Sequence, residues 1–184
     1  GYYFKQTADI DLKGVNWEPI GYSGSGLYFA GNYDGGNHLI TNVSCSGKND
    51  DDGFATGGIF GWVVFGSVSN LHVKNAEISA TGQNNYSYAG GITGVVYGSA
   101  ITNCSVSDSY IENKRNPSNN NCAGSISGYS TGGTFSKCAA EHNKIQTMGY
   151  GGGFVGEVDD DYGVGNSTFT DCYVADAEVT AYSA

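Results

Sequence analysis

From residue 57 onward, apolar and polar positions alternate in strand-length runs that return at a fixed interval. Val68-Ser69-Asn70-Leu71-His72-Val73, Ile101-Thr102-Asn103-Cys104-Ser105-Val106, Phe135-Ser136-Lys137-Cys138-Ala139-Ala140 and Phe169-Thr170-Asp171-Cys172-Tyr173-Val174 are all apolar at their first, fourth and sixth places. Their starts lie 33, 34 and 34 residues apart, and ten residues past each start stands another apolar residue: Ile78, Ile111, Ile145 or Val179. Ahead of each run is a glycine cluster: Gly57-Gly58-Ile59-Phe60-Gly61, Gly90-Gly91-Ile92-Thr93-Gly94, Gly124-Ser125-Ile126-Ser127-Gly128 and Gly152-Gly153-Phe154-Val155-Gly156. Glycine fills eleven of the twelve equivalent places, where composition alone would fill about two.

A unit this small cannot bury its own apolar face, so successive units must stack and share one core. The pattern predicts an all-β, right-handed parallel β-helix (a β-solenoid) of about five turns, the hand following from the rule for parallel crossovers. Equivalent strands then pair in register at roughly 4.8 Å. Val68/Ile101/Phe135/Phe169 and Ile78/Ile111/Ile145/Val179 become inward ladders. The glycines fit corners that need positive φ or a close approach of backbone to backbone.

A single domain over residues 1–184 is expected, with four repeats in 57–184 preceded by a lead-in segment and a divergent first turn in 1–56. Residues 2–12 alternate near their end like a half-buried strand, 13–21 form a turn carrying Trp17, and 29–37 form a second turn cluster before a strand at 38–43. Ile40, Val43 and Cys45 have the spacing of Val68, Leu71 and Val73, which aligns the divergent turn on those residues. Segments 46–56, 79–89, 112–123 and 146–151 vary in length after equivalent strands, while 157–168 falls in a different gap. Rich in Asn, Ser and Tyr, they read as solvent-facing loops, where a binding site would lie.

Charge narrows the partners. The chain carries −10 with only 8 Lys and Arg, and Arg115 is its sole arginine. Nothing in it would neutralise a run of phosphates, so no nucleic-acid partner is expected, and an anionic membrane surface is disfavoured. No run of 18 apolar residues is present, so no membrane insertion is expected. The chain has no initiating Met and no signal sequence and is read as a segment of a longer parent chain.

The Gly-Gly-apolar-x-Gly unit, followed at fixed distance by Ile-x-Asn-Cys-x-Val as at Ile101–Val106, resembles the GLUG-motif repeat family. The upstream Tyr3-Phe4 with Ala8-Asp9-Ile10-Asp11-Leu12, and Phe29-x-Gly31-x-Tyr33-Asp34-Gly35 with Ile40-x-Asn42-Val43, resemble the lead-in of such proteins. The likeness spans nearly the whole chain; Ser125 and the six extra residues of the fourth unit depart from it. It implies an extracellular module of a bacterial secreted or cell-surface protein, as in adhesin-like proteins and the non-catalytic part of immunoglobulin A1-specific metallopeptidases. It implies no catalytic position and names no ligand.

The chemistry-bearing residues are weighed on that scaffold. His38, His72 and His142 are far apart and lack the His-Glu-x-x-His order of a metallopeptidase, so they read as solvated strand residues. Asp50-Asp51-Asp52 and Asp159-Asp160-Asp161 are the dense acidic groups, but neighbours in one loop rarely converge on a reacting centre. The same aspartates could hold Ca²⁺, yet Asp159-Asp160-Asp161-Tyr162-Gly163 lacks the order of an EF-hand loop, and a solvated turn is the favoured reading. No catalytic, cofactor or metal residue is assigned.

Cys104, Cys138 and Cys172 share the place of Leu71, which predicts an inward ladder of free thiols; stacked Cβ atoms about 4.8 Å apart are too distant for a usual disulfide. Cys45 is placed with inward Val73, and Cys122 is the least certain of burial. Asn42, Asn70, Asn103 and Asp171 are read as a polar ladder at a bend in preference to a recognition stripe. Tyr86, Tyr88, Tyr97, Tyr129 and Tyr162 lie in or near loops where rings could stack on a glycan. Trp17 and Trp62 read equally as a plug for the solenoid end or a cover for a sheet face. The leading expectation is a non-enzymatic stalk or adhesive module that meets a glycan or protein on a host or cell surface. A glycan-binding module or a carbohydrate-active β-helix enzyme is the alternative.

Overall fold

A computed structural model describes residues 1–22, 26–49, 53–81, 86–113, 121–160 and 163–182. The chain winds into a parallel β-solenoid of about five turns, with strands on four faces. One complete rung shows the path. Ser87–Gly90 lies on the first face, Thr93–Tyr97 on the second, Ala100–Thr102 and Ser105–Ser107 on the third, and Tyr110–Asn113 on the fourth. Each strand pairs in parallel with its equivalents one rung before and one rung after. The exception is Lys48–Asn49, which runs antiparallel to Ala55–Gly57 on the first face.

The repeat spacing becomes the rung spacing. Ile101 lies between Val68 and Phe135, and Ile111 between Ile78 and Ile145, all fully buried. Both expected ladders therefore exist and run into one core with Ile59, Phe60, Ile92 and Ile126 from the glycine units. Phe135 stacks on Phe169 with ring centroids 4.9 Å apart, continuing the ladder into the last rung.

The third face is bent once within itself and the chain turns again from it to the fourth face, and residues with left-handed backbone make both bends. Asn37, Asn70, Asn103, Lys137 and Asp171 form one corner, and Asn42, Asn75, Asp108, His142 and Asp176 the other, all with φ between 51° and 59°. Asn and Asp tolerate that region better than other residues with a Cβ because the side chain can bond locally. Here they bond along the axis as well. Asn103 Nδ2 donates to Asn70 Oδ1 at 2.8 Å, and Asn70 Nδ2 donates to Asp34 Oδ1 at 2.8 Å. At the second corner Asn75 donates to Asn42, and Asn42 Nδ2 donates to Asp11 Oδ1 at 2.7 Å. The polar ladder at a bend is present, in duplicate.

That duplication corrects the alignment of the first turn. Ile40 lies opposite Val73, Tyr33 takes the place across from Val68, and Cys45 pairs with Ile78. Asn42 accordingly joins Asn75, and Asn37 heads the Asn70 corner. The apolar spacing of 40, 43 and 45 fits residues 68, 71 and 73 and equally fits 73, 76 and 78. A local feature decides between them. The register shifts between Asp34 and His38, where Gly35 and Gly36 add chain and Gly36 has φ of 63°.

The lead-in supplies the N-terminal end of the solenoid. Tyr3–Lys5 and Ile10–Asp11 both pair with Asn32–Thr41 on the third face, and Asn16 bridges Ser44 on the fourth. Ile20 and Phe29 bridge Phe60 and Val63 on the second face. Trp17, whose Nε1 donates to Ile59 O at 3.2 Å, packs on the end of the core and acts as the plug.

Candidate functional site

Nine of the eleven repeat glycines have ordinary φ and owe their identity to space, since a Cβ there would lie within 3.0 Å of a neighbouring atom; Gly58 combines such a contact with a positive φ, and Gly153 would meet the Val174 side chain at 3.1 Å. A Cβ at Gly128 would lie 2.6 Å from Ala89 N and 3.0 Å from Cys122 O, and one at Gly156 would lie 2.7 Å from Ala123 N. The second face therefore crosses directly over the backbone of the first, and the chain folds into a sharp wedge after each glycine pair. Outward side chains of the two faces meet where the wedge opens.

Tyr88, Val95, Cys122 and Tyr129 are buried in the wedge, with Phe54 and Trp62 packed against them. Tyr88 meets Tyr129 at 5.3 Å between ring centroids and Trp62 edge-on at 6.3 Å. Phe54 stacks on Tyr86 at 4.7 Å, and Tyr86 is the exposed ring of the set. Trp62 Nε1 is enclosed without a hydrogen-bond partner among the described residues. Toward the C-terminal end, Cys122 Sγ donates to Glu157 Oε2 at 3.0 Å and Tyr129 Oη donates to Asp159 Oδ2 at 3.0 Å. Burial pushes the Glu157 carboxyl up, against the hydrogen bond from Cys122 that lowers it. Burial and the nearby Glu157 push the Cys122 thiol far up, so it is a protonated donor and a poor nucleophile.

The two carboxylates come from one strand, Val155–Asp159, at alternate positions. Each accepts a hydrogen bond from a wedge side chain. The wedge closes a seam between two faces and leaves ring surface accessible at Phe54 and Tyr86. Its chemical capacity is stacking and hydrogen bonding at that mouth.

The other residues singled out from the sequence disperse. His38 Nδ1 lies 3.2 Å from Asp9 Oδ1, and His72 Nδ1 lies 2.8 Å from Ser105 Oγ. His142 sits at a corner, 3.4 Å from Asp176 and 3.9 Å from Asp108. Among the described residues no group of three or more His, Cys, Asp and Glu side chains is set to hold a metal ion. Asp50, Asp51, Asp52, Asp161, Tyr162 and Arg115 lie outside the described residues. Asp160 is exposed, and Tyr97 stands edge-on to Phe65 at 5.3 Å, away from the wedge.

All five cysteines are free. Cys104 and Cys138 are buried in the predicted ladder and donate to Thr102 O and Ser136 O at 3.3 Å, while Cys172 in the last rung is partly exposed. Cys122, the uncertain one, is fully buried in the wedge.

A buried polar cluster at the base of the loops escaped the sequence reading. Ser87 Oγ lies 2.8 Å from Asn113 Oδ1 and 2.8 Å from Asn121 Oδ1, and Asn113 Nδ2 donates to Ser87 O at 2.6 Å. Thr147 Oγ1 donates to Asn121 O at 3.2 Å. Strand alternation carried the signal: Asn113 stands two places beyond inward Ile111, and Ser87 two before inward Ala89. These bonds tie the fourth face to the first.

No protein-family model matches the chain, and no curated protein matches it, so the GLUG resemblance rests on the residues and their spacing. Among solved structures the chain is similar to the crystal structure of a "putative immunoglobulin A1 protease" from Bacteroides ovatus. The identity is 19%, the TM-score is 0.53, and the likeness covers 98% of this chain and 70% of that one. At that identity the two share a fold.

Proposed function

We propose that this chain is a non-enzymatic repeat module of a secreted or cell-surface bacterial protein, serving as a stalk and as a surface that presents loops. One observation carries the reading. The core is built from apolar side chains at the same positions rung after rung, while the chain varies in length between the fourth face and the first, whose strand ends are tied together by the buried Ser87–Asn113–Asn121 cluster. Such a body adds length by adding rungs, and its loops can change without repacking the ladders. An extracellular setting is supported by the GLUG-like spacing and by the shared fold with a protein whose name places it among immunoglobulin A1 proteases. On this reading Glu157 and Asp159 are structural acceptors.

A second reading, a glycan-binding surface, is favoured by the stacked Phe54 and Tyr86 at the mouth of the wedge. The experiment for both is a glycan array probed with the purified chain, with and without Ca²⁺. A hit abolished by Tyr86→Ala makes the module a carbohydrate-binding adhesin, and calcium dependence returns attention to the aspartate-rich segments. Release of reducing sugar from any bound glycan would overturn the non-enzymatic reading. A negative array leaves the stalk, with host proteins as the next probes.

A further inference from the structure

One aromatic ring in the interior rungs is held out in solvent at a backbone position that suits glycine. Phe65, at the corner between the second and third faces, has φ of 48° and is 67% exposed. Its equivalents in the next two rungs are Gly98 and Gly132, with φ of 53° and 60°. A bulky residue in the left-handed region is an outlier, and strained positions of this kind gather at functional sites. The ring lies on Gly98, where an added Cβ would stand 2.7 Å from Phe65 Cε1, and meets Tyr97 edge-on with centroids 5.3 Å apart. Gly98 and Tyr97 thus fix one side of the ring while the rest faces solvent.

The surroundings of the ring are polar but uncharged. On the second face its neighbours are Val64 and Tyr97, paired in register and both half-buried. On the third face Asn32, Ser67, Ala100 and Thr134 stand in one register across four rungs. Ser67 Oγ donates to Asn32 Oδ1 at 2.8 Å, and Asn32 and Thr134 are exposed. The chain carries 18 Asp and Glu against 8 Lys and Arg, and none of them falls at these positions.

We propose that the Phe65 corner is a binding platform for neutral glycans, on which a pyranose rests its C–H face against the free side of the ring. Asn32, Ser67 and Thr134 are the hydrogen-bonding groups beside it. The site is separate from the mouth of the wedge at Phe54 and Tyr86, and it rests on the glycan-binding reading only in the class of ligand. The face of an aromatic ring carries partial negative charge, which suits the C–H bonds of a sugar. Charge selects within that class. A chain of net charge −10, with no cation in the strip, repels sialylated and sulfated glycans and leaves the neutral ones. Because Gly98 and Tyr97 already fix the ring, little side-chain freedom is lost on binding.

The test is an array of neutral, sialylated and sulfated oligosaccharides, probed with the biotinylated chain presented as a streptavidin tetramer so that weak contacts add. Binding is expected on neutral spots and not on anionic ones. Phe65→Gly gives this corner the residue of the next two rungs; it should lose the signal to background and melt no lower than the native chain. Tyr86→Ala should keep the signal. Absence of binding to every neutral glycan overturns the proposal, as does equal binding to anionic ones or a signal retained by Phe65→Gly. A marked fall in melting temperature for Phe65→Gly would make the ring a structural cover and also overturns it. A signal lost with Tyr86→Ala and kept with Phe65→Gly would leave glycan binding to the wedge and remove it from this corner.

Discussion

Replacing Ile111 with Ala tests the ladder at its centre, and replacing Val179 with Ala tests the same ladder at its end. Ile111 is fully buried between Ile78 and Ile145, both fully buried themselves, and paired with them in register. The substitution deletes three carbons, worth about 2.4 kcal/mol at about 0.8 kcal/mol each. The rungs on either side are held at fixed spacing by parallel ladder hydrogen bonds, so the site cannot collapse and a cavity term adds to the loss. The total should be about 3 to 4 kcal/mol, inside the range for buried Ile-to-Ala changes. Val179 is 41% exposed and only Ile145 pairs with it from the preceding rung. Losing two carbons there should cost roughly 1 kcal/mol without enclosing a cavity. Urea unfolding followed by far-ultraviolet circular dichroism reads both. The slope against denaturant should also fall for Ile111→Ala, because weakening a middle rung of a one-dimensional stack uncouples its two halves. Equal costs for the two variants would refute the argument, since they would mean that position along the ladder does not matter.

Three further outcomes are expected. Gly128→Ala, whose Cβ would lie 2.6 Å from Ala89 N, should destabilise by at least about 2 kcal/mol through overpacking, whereas Gly14→Ala meets open space and carries only the positive-φ cost of about 1 kcal/mol; comparable thermal melts would contradict the wedge. Thiol labelling of the native chain should modify Cys172 first and leave Cys45, Cys104, Cys122 and Cys138 protected until the chain unfolds, and rapid modification of all five would rule out their inward placement. Asp34 is held at a pKa of about 2, below its ordinary 3.8, chiefly by the Asn70 amide and then by the Gly36 N–H. The depressed carboxyl stabilises the fold fully above pH 3.8 and loses that contribution as pH falls through about 2, so the gap in melting temperature between the native chain and Asp34→Asn should close across that interval and stay constant above it.

Much of the fold was legible because a solenoid is nearly one-dimensional. A side chain repeated every 33 or 34 residues can only be stacked on its equivalents, so the ladders through Ile101 and Ile111, the free thiols of Cys104 and Cys138, and the corner at Asn70 and Asn103 followed from spacing alone. The alignment of the first turn did not follow, because its apolar spacing fits residues 68, 71 and 73 and residues 73, 76 and 78 equally well. Hydrogen bonding around Gly35 and Gly36 settles it, and that depends on a partner strand. The wedge was hidden for a similar reason. On their own strands Tyr88 and Tyr129 read as residues in or near loops, Trp62 as a plug or a cover for a sheet face, and Cys122 as the cysteine least certain of burial. Tyr88, Tyr129 and Cys122 become buried, and Trp62 half-buried, because the repeat glycines let one face cross against the next. Sequence determined which positions repeat and which side chains stack, since these are local and periodic properties. Only the tertiary structure decided which outward faces are brought together, since that depends on distances between chain segments that periodicity does not encode.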